Sequence, residues 1–435
     1  MNPFRTITAL ATVLLVGVLW LAGTPLAAQA QGQHSNDKAF FAERRAAFER
    51  TGVAPTVPPS LSADPYDPEY VFLGYMPIAT REQEDAHFAR LERETIRPAS
   101  EEELSSTFGD QEIALVFVNE AGEQWGLLSR GLAERLAARR LALGGSDARN
   151  IGGNAGNGRV EVDEISTRSP ESIRLGTGRS ILGSDNRGLR SADNGFNMTA
   201  YPWHAIGVLV TDGANTANGP NVKCTAFKVG ERHLLTSAHC VFTEGGGEGS
   251  LMRRDWWPGA DGLDKTMNGG DPSPNNYKNI LWYAYDPKYL FNGWDSRDFS
   301  VLVLADNQSS CDLAWFGYRE DYSLAGSWMW NFGYPGQNQA CSASPRPDGK
   351  CGGSMYGMEA KITRTEAPYI FFKHDVTGGQ SGSPVFDFVD DIPQAVGIVK
   401  AGYTSVENAG IKIRDLVYDF IETARDKNPS SYCNP

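Results

Sequence analysis

The stretch DVTGGQSGSPVF, residues 375–386, is the part of the sequence that decides the fold of this protein. It holds Ser381 in a turn between Gly379 and Gly382 and then continues into apolar residues. Glycine-rich turns are common, so the turn alone leaves two interpretations of Ser381 open: a nucleophile or an ordinary turn residue. A serine hydroxyl is a weak nucleophile, and the first interpretation therefore requires a base elsewhere in the chain.

Two earlier segments supply the groups that a nucleophilic serine requires. LLTSAHC (234–240) has His239 directly after an apolar strand, and SRDFSVLVL (296–304) has Asp298 at the start of another. An imidazole accepts a proton near neutral pH, and a buried carboxylate fixes its tautomer and stabilises its charged form. Each segment alone has little weight, but the order His239, Asp298, Ser381 predicts a catalytic triad.

Gly379 has a separate predicted role in the same turn. Without a side chain it lets the backbone turn so that its own N–H and that of Ser381 face a developing oxyanion. The competing serine motif, the G-x-S-x-G elbow of α/β-hydrolases, ends here in Ser383 instead of glycine. That fold also requires the serine to precede the histidine, so we exclude it.

Composition limits the classes of function. The 435 residues exceed one ordinary domain and predict two folded units. A net charge of −13 argues against nucleic acid or an anionic membrane as the main partner. No cysteines and histidines have the spacing of a metal site, so we expect neither a metal nor another cofactor. The Asp- and Asn-rich segment 259–276 lacks the spacing of a calcium-binding EF-hand loop.

Residues 1–30 predict a signal peptide. Arg5 precedes an apolar run over residues 9–23, and a small-x-small sequence, Ala-Gln-Ala, follows at residues 28–30. An uncleaved membrane anchor is the alternative interpretation of this run.

Residues 31–179 predict a small α+β region. Helices are expected over residues 31–52 and 129–143, and a strand over residues 112–119. A glycine- and asparagine-rich linker, residues 144–160, follows. The main domain comes after this region.

From Tyr201 onward the sequence consists of short apolar runs separated by turns. The runs are HAIGVLVT (204–211), RHLLTSA (232–238), FSVLVLA (299–305) and PQAVGIVKAG (393–402). Such runs predict β-strands. Residues 413–426 have apolar side chains at helical spacing and predict one amphipathic helix that closes an all-β domain.

At these motifs the sequence resembles a known family. TSAHC, DFSVLVL and GGQSGSPVF are similar to the three signatures of chymotrypsin-like serine endopeptidases, and most similar to those of the exported bacterial glutamyl endopeptidases. SILGSDNR (180–187) resembles the mature N-terminus of that branch. The resemblance implies two six-stranded antiparallel β-barrels with the active site in the cleft between them.

The resemblance also implies roles for the predicted triad. His239 is the general base, Asp298 its orienting partner and Ser381 the nucleophile, while Gly379 and Ser381 supply the N–H groups of the oxyanion hole. Asp295 lies in the same loop as Asp298 and is its one alternative, but the family has its aspartate directly before the strand.

The same resemblance predicts maturation by cleavage after Arg179. Residues 31–179 would then be a propeptide that inhibits or helps to fold the catalytic domain, residues 180–435. An N-terminal binding domain retained in the mature protein is the alternative. Gln380 precedes the nucleophile where trypsin-like zymogens have an aspartate that pairs with the new N-terminal amine. Because glutamine carries no charge, the amine of Ser180 becomes a candidate for binding a substrate carboxylate, as in the glutamyl branch.

The residues predicted to contact the substrate do not agree on a specificity. They are Asp375, Val376, Thr377, Val399, Lys400, Gly402 and Ser180. Asp375 lies where a trypsin-like pocket has its aspartate and suggests cleavage after Arg or Lys, but it can equally cap backbone N–H groups. Val376 and Val399 stand where the glutamyl branch has a threonine and a histidine that bind glutamate. Lys400 carries a positive charge, but alternation along a strand directs it away from Val399.

The six cysteines of an exported chain predict disulfides. The first pair follows from the resemblance, the second from closeness in sequence, and the third consists of the cysteines that remain. The pairs are Cys224–Cys240, Cys341–Cys351 and Cys311–Cys433.

Together these features predict a secreted serine endopeptidase that is made as a proenzyme. We expect it to be a monomer that acts on proteins or peptides and has no membrane contact once the signal peptide is removed. A catalytically inactive, protease-like binding module is the alternative function. Cleavage after Arg or Lys, instead of after Glu, is the alternative specificity.

Overall fold

The structure, a computed structural model, describes the chain in segments separated by gaps. The described residues are 44–92, 99–106, 108, 111–132, 134–136, 150–151, 181–182, 184–190, 197–198, 200–211, 222–243, 249–261, 278–305, 313–320, 323–336, 353–402 and 407–427. The predicted signal peptide, most of the linker and the predicted cleavage site lie outside them.

The chain divides into two compact units, Met1–Gly52 and Val53–Pro435. In the first unit, residues 44–51 are helical, within the helix predicted over residues 31–52. All elements named below belong to the second unit.

The second unit begins with a region of helices and strands, and its described residues between 53 and 136 are called the N-terminal segment below. Its elements are β1 (Tyr70–Tyr75), α1 (Arg81–Leu91), α2 (Glu101–Ser105), β2 (Ile113–Asn119) and β3 (Glu123–Leu128). Both helices begin with a capping box, in which the hydroxyls of Thr80 and Ser100 each accept a hydrogen bond from the N–H three residues further on. The strand predicted over residues 112–119 is β2. Two short strands follow, β4 (Asn150–Ile151) and β5 (Gly188–Arg190).

Barrel 1 consists of six antiparallel strands in the order β10-β11-β8-β7-β6-β9. They are β6 (Ile206–Thr211), β7 (Val222–Lys228), β8 (His233–Thr236), β9 (Arg254–Pro258), β10 (Lys278–Tyr285) and β11 (Ser300–Leu304). The barrel closes where Lys278 and Asn279 of β10 pair with β9. Apolar side chains on both faces of these strands are fully buried, such as Val208, Leu235 and Val301 on one face and Leu209, Leu234 and Leu302 on the other.

Strand β10 also pairs with the N-terminal segment. Residues 282–285 of β10 are antiparallel to residues 116–119 of β2. The sheet then continues through β3 to β1, so that barrel 1 and the N-terminal strands form one sheet of nine strands. The N-terminal segment therefore extends the sheet of barrel 1.

Barrel 2 also has six antiparallel strands, in the order β16-β13-β14-β15-β18-β17, and closes by pairing of β16 with β17. The strands of this part of the chain are β12 (Gly317–Arg319), β13 (Trp328–Gly333), β14 (Met355–Glu366), β15 (Tyr369–Phe372), β16 (Pro384–Val389), β17 (Ile392–Gly402) and β18 (Asn408–Lys412). Strand β12 adds to β17, and β5 adds to β14.

Two further helices of the unit are α3 (Pro287–Asn292) and α4 (Asp415–Lys427). Helix α4 is the amphipathic helix predicted near the C-terminus, and it buries Phe420 and Ile421. The predicted fold class, two closed six-stranded antiparallel barrels with a C-terminal helix, is confirmed. In the part of the chain that the structure describes, no helix is long and apolar enough to cross a membrane.

Candidate active site

His239 lies on a short turn that follows strand β8 of barrel 1. The turn is a 3-10 helix, Ala238–Cys240, and all three of its residues are buried. Cys240 forms a disulfide with Cys224 of β7, with the two Cα atoms 5.8 Å apart. The predicted first disulfide is thus present, and it fixes the histidine turn to the neighbouring strand.

Asp298 holds His239 through both oxygens of its carboxylate. Its Oδ1 accepts a hydrogen bond from the His239 backbone N–H at 2.9 Å, and its Oδ2 lies 2.7 Å from the ring Nδ1. Burial alone would raise the pKa of the Asp298 carboxyl, but the charges of His239 and Lys400 and the hydrogen bonds from His239 outweigh burial and hold that pKa well below its usual value. Asp298 is thus an ionised group that orients the imidazole.

Ser381 lies in the loop that leads into β16 of barrel 2. Gly379 in this loop has a φ of +96°, and a Cβ there would lie 2.2 Å from the backbone nitrogen of Gly336, so only glycine fits. The Ser381 carbonyl accepts a hydrogen bond from the Thr225 N–H of barrel 1 at 2.9 Å. The loop is therefore held against both barrels.

The Ser381 hydroxyl and His239 are not hydrogen-bonded to each other in the described part of the chain. The hydroxyl donates instead to the backbone carbonyl of Lys400, at 2.9 Å. Within the same described residues, the N–H groups of Gly379 and Ser381 donate to no acceptor.

Lys400 is bound to the carboxylates beside His239. Its Nζ lies 2.8 Å from Oδ1 of Asp295 and 3.0 Å from Oδ2 of Asp298, and the side chain is 9% exposed. Burial would lower the pKa of this ammonium, but Asp298 and Asp295 reverse the effect and raise it. Lys400 was predicted above to contact the substrate, and Asp295 was the alternative to Asp298. In the structure these two residues pair with each other. The alternation of side chains along β17 was the signal for the direction of Lys400.

Asp375 binds the backbone of residues that follow the predicted cleavage site. Its two carboxylate oxygens accept hydrogen bonds from the N–H groups of Leu182, at 2.7 Å, and Asn186, at 2.9 Å. Asp375 is buried, and this burial raises the pKa of its carboxyl. This geometry agrees with the second interpretation of Asp375, in which its carboxylate caps backbone N–H groups.

Arg187 is a buried residue of this region that sequence reasoning missed. Its Nη1 donates to Oγ1 of Thr377 at 2.9 Å and to Oε1 of Gln380 at 2.6 Å, while its Nε pairs with Asp185. Gln380, the residue before Ser381, thus binds a cation from the chain segment that precedes barrel 1. The only signal in the sequence was that Arg187 ends the SILGSDNR motif.

The remaining predicted substrate-binding residues are spread over several environments. Val376 and Val399 belong to a buried apolar cluster inside barrel 2. Gly402 pairs with Asn408 between β17 and β18. Ser180 lies outside the described residues, as do the cysteines of the other predicted pairs, Cys341, Cys351, Cys311 and Cys433.

A group of metal-binding residue types lies next to the histidine turn. The ligand atoms of Cys224, His239 and Cys240 are within 4.8 Å of one another. Because the two sulfurs are bonded to each other, neither is a thiolate, which is the form that binds metal. This group therefore does not fit a metal ion.

Comparison with known proteins defines the class of this domain. Residues 224–398, which include His239, Asp298 and Ser381, match the family profile of the trypsin-like peptidase domain. The resemblance of this domain to the chymotrypsin-like serine endopeptidases is therefore confirmed.

Several individual proteins are similar to this chain. It is 25% identical over 221 residues to the glutamyl endopeptidase of Bacillus licheniformis, a match that covers 51% of this chain and 57% of the relative. It is 24% identical over 247 residues to the extracellular metalloprotease of Bacillus subtilis, covering 56% of this chain and 69% of that protein. A solved structure of a Glu endopeptidase in complex with MPD is 23% identical, with a TM-score of 0.45, and covers 57% of this chain and 99% of its own. The match thus spans little more than half the length of the B. licheniformis relative.

Proposed function

We propose that the protein is an exported serine endopeptidase, made as a proenzyme, that hydrolyses peptide bonds through Ser381, His239 and Asp298. The observation that carries the proposal is the double contact of Asp298 with the backbone and ring of His239. This contact lies in a domain that matches the trypsin-like peptidases, upstream of a serine in a glycine turn.

The reaction begins with a rotation of the Ser381 side chain. The hydroxyl leaves the carbonyl of Lys400 and turns to Nε2 of His239, the ring nitrogen that Asp298 does not bind. His239 takes the hydroxyl proton as Ser381 attacks the peptide carbonyl, and Asp298 stabilises the resulting imidazolium. The N–H groups of Gly379 and Ser381 then bind the negatively charged oxygen.

The second half of the reaction reverses these roles. The imidazolium donates its proton to the leaving amine, so the peptide bond breaks and an acyl-enzyme ester on Ser381 remains. A water molecule, deprotonated by His239, attacks the ester and releases the acid product with the free serine.

For specificity, we propose that Asp375 does not select Arg or Lys. Both of its oxygens are bound to backbone N–H groups, and Lys400 is likewise bound to two carboxylates. Cleavage after glutamate is supported by one relative, which is named a glutamyl endopeptidase. The carboxylate of a substrate glutamate would then be bound by the new N-terminal amine of Ser180, because the side chains of Val376 and Val399 form no hydrogen bonds.

Export and maturation belong to the same proposal. The predicted signal peptide, residues 1–30, and a relative named an extracellular protease support export. The attachment of Leu182, Asn186 and Arg187 to the serine loop supports a mature chain that begins close before them, at Ser180.

A binding module without catalytic activity is the second candidate. It is favoured by one observation, the hydrogen bond of the Ser381 hydroxyl to the Lys400 carbonyl in place of His239.

A peptide library incubated with secreted wild-type protein tests these proposals. We expect cleavage that Ser381→Ala reduces by about a thousandfold or more, because the serine is the nucleophile. Asp375→Asn is the matched control, and it should leave the cleavage preference unchanged. Absence of cleavage by wild-type protein would favour the binding module, and a preference for Arg or Lys that Asp375→Asn abolishes would overturn the specificity proposal.

A further inference from the structure

Helix α1 of the N-terminal segment contacts the turn that carries the predicted general base. Nε2 of His87, a buried side chain, lies 2.9 Å from the backbone carbonyl oxygen of His239. Nη2 of Arg90 lies 3.4 Å from the other ring nitrogen, Nδ1. Because a guanidinium can only donate, Nδ1 is the acceptor and Nε2 carries the proton that His87 donates to His239.

The next carbonyl of the same turn is held through a second residue of α1. Nε of Arg254 donates to the Cys240 carbonyl at 3.1 Å, and its Nη1 lies 3.0 Å from the Glu84 carboxylate. Both side chains of this ion pair are buried. A buried cation without its carboxylate is costly, so Glu84 keeps Arg254 in the position from which it binds Cys240. Two consecutive carbonyls of the histidine turn are thus supported by helix α1.

Backbone pairing also holds the N-terminal segment on barrel 1. Strand β2 is hydrogen-bonded along residues 282–285 of β10, and Ile78 and Leu251 form a further bridge beside α1. If the N-terminal segment left, this part of β10 would become an exposed edge bearing Trp282, Tyr283 and Tyr285. Such an edge is unfavourable and prone to pairing with other chains.

The contact also does not involve the reacting side-chain atoms. Helix α1 binds the backbone carbonyl of His239, and no described residue of the N-terminal segment hydrogen-bonds to the His239 ring or to Ser381. A segment that inhibits by occupying the site would contact those groups instead.

We infer that the N-terminal segment is a lasting part of the active enzyme, bound to barrel 1 after the chain is cut before Ser180, and that His87 is a positioning residue for His239. The segment acts from behind the histidine turn, whose orientation sets the direction of the imidazole towards Ser381. The positioning role rests on the proposed function, since it concerns His239 as general base. The attachment of the N-terminal segment to barrel 1 does not rest on the proposed function.

The attachment is tested with a recognition site for a specific protease introduced between residues 152 and 179 of the full chain. After cutting, we expect both pieces to co-elute in gel filtration as one particle, with hydrolytic activity preserved. Separate elution, with the piece that contains Ser381 still folded and active, would overturn the inference.

The positioning role is tested by three variants of α1 in the same full-length protein. His87→Ala should lower kcat about tenfold with little change in KM, because one hydrogen bond that orients the base is lost while substrate contacts remain. His87→Gln retains an N–H donor and should restore most of the rate. Glu82→Gln, at an exposed position of the same helix, is the matched control and should leave the rate unchanged. Equal kcat for His87→Ala and wild type, or a loss confined to KM, would overturn the positioning role.

The two arms separate this inference from the proposed function. A wild-type chain that hydrolyses no peptide overturns the proposed function, and the positioning role of His87 with it. In that event, gel filtration of the two pieces of the cut chain still decides whether the N-terminal segment remains bound to barrel 1.

Discussion

The two barrels of this protein have the same number of strands but close in different ways. In barrel 2, β16 and β17 pair from Pro384 to Val389, so the closing seam runs the full length of β16. In barrel 1, β9 pairs with only two residues of β10, and β2 of the N-terminal segment pairs with the other half of that strand. The closing seam of barrel 1 is therefore short, and the N-terminal segment covers the rest of that edge of β10.

The N-terminal segment and the residues after the predicted cleavage site attach to different barrels, and β4, which lies between them in sequence, pairs with β12. The N-terminal segment pairs with barrel 1, whereas residues 182–190 attach to barrel 2 through Asp375, Gln380 and the pairing of β5 with β14. Cutting after Arg179 consequently breaks none of these contacts. The comparison indicates that cleavage after Arg179 can release the N-terminus of Ser180 while the N-terminal segment stays on barrel 1 and residues 182–190 stay on barrel 2.

Removal of the N-terminal segment should have the largest effect. We expect a chain that begins at Ser180 to be insoluble, because the edge of β10 is exposed and Arg254 loses the carboxylate of Glu84. Soluble yield and gel filtration measure this. As the control, co-expression of residues 31–179 as a separate chain should restore a soluble particle. A soluble and active chain beginning at Ser180, made alone, would break the comparison.

Lys400→Met should have the next largest effect, since Lys400 of barrel 2 reaches the carboxylates of Asp295 and Asp298 in barrel 1. Loss of one partner from a buried ion pair lowers the free energy of unfolding by about 3 kcal/mol, and we expect that decrease near pH 7 in urea denaturation. Lys400→Arg keeps the charge and is the control.

The Lys400→Met variant also has a defined pH dependence. The pKa of Asp298 is lowered in the folded state, so its stabilisation is complete above the ordinary range of a carboxyl and is lost as pH falls through that range and below. Without Lys400 the pKa is lowered less, and the variant should lose less stability than wild type on acidification. The same acid-side loss in both proteins would contradict the ion pair.

The smallest effect near neutral pH concerns His374 of barrel 2, because this residue changes stability only in acid. Burial lowers the pKa of His374 from 6.5 to about 4, and its Nε2 lies 2.7 Å from the Met329 carbonyl. Between these two pH values the unfolded chain binds a proton that the folded chain does not, so stability falls as pH falls, by up to about 3 kcal/mol.

His374→Gln keeps a donor for Met329 and removes this titration. Urea denaturation at pH 7 and pH 4.5 should reveal a smaller loss of stability in the variant than in wild type. An unchanged difference between the two pH values would indicate that other groups cause the acid sensitivity.

The sequence was informative wherever the determining signal is local. Apolar runs between turns predicted the strands, and the short motifs around His239 and Asp298 predicted two side chains that are in direct contact. Long-range pairing was not predictable, because nothing near β2 indicates that its partner is β10. The same limit applies to Lys400, whose partners lie in the other barrel.

The most direct test of the proposed active site is reaction of intact, secreted wild-type protein with a fluorophosphonate, followed by peptide mapping. The account predicts one covalent adduct on Ser381, in the peptide that contains residues 375–386. The adduct should be absent in Ser381→Ala and should form far more slowly in His239→Gln, because the hydroxyl then lacks its base. A wild-type protein that forms no adduct, or forms it at another residue, would contradict the account.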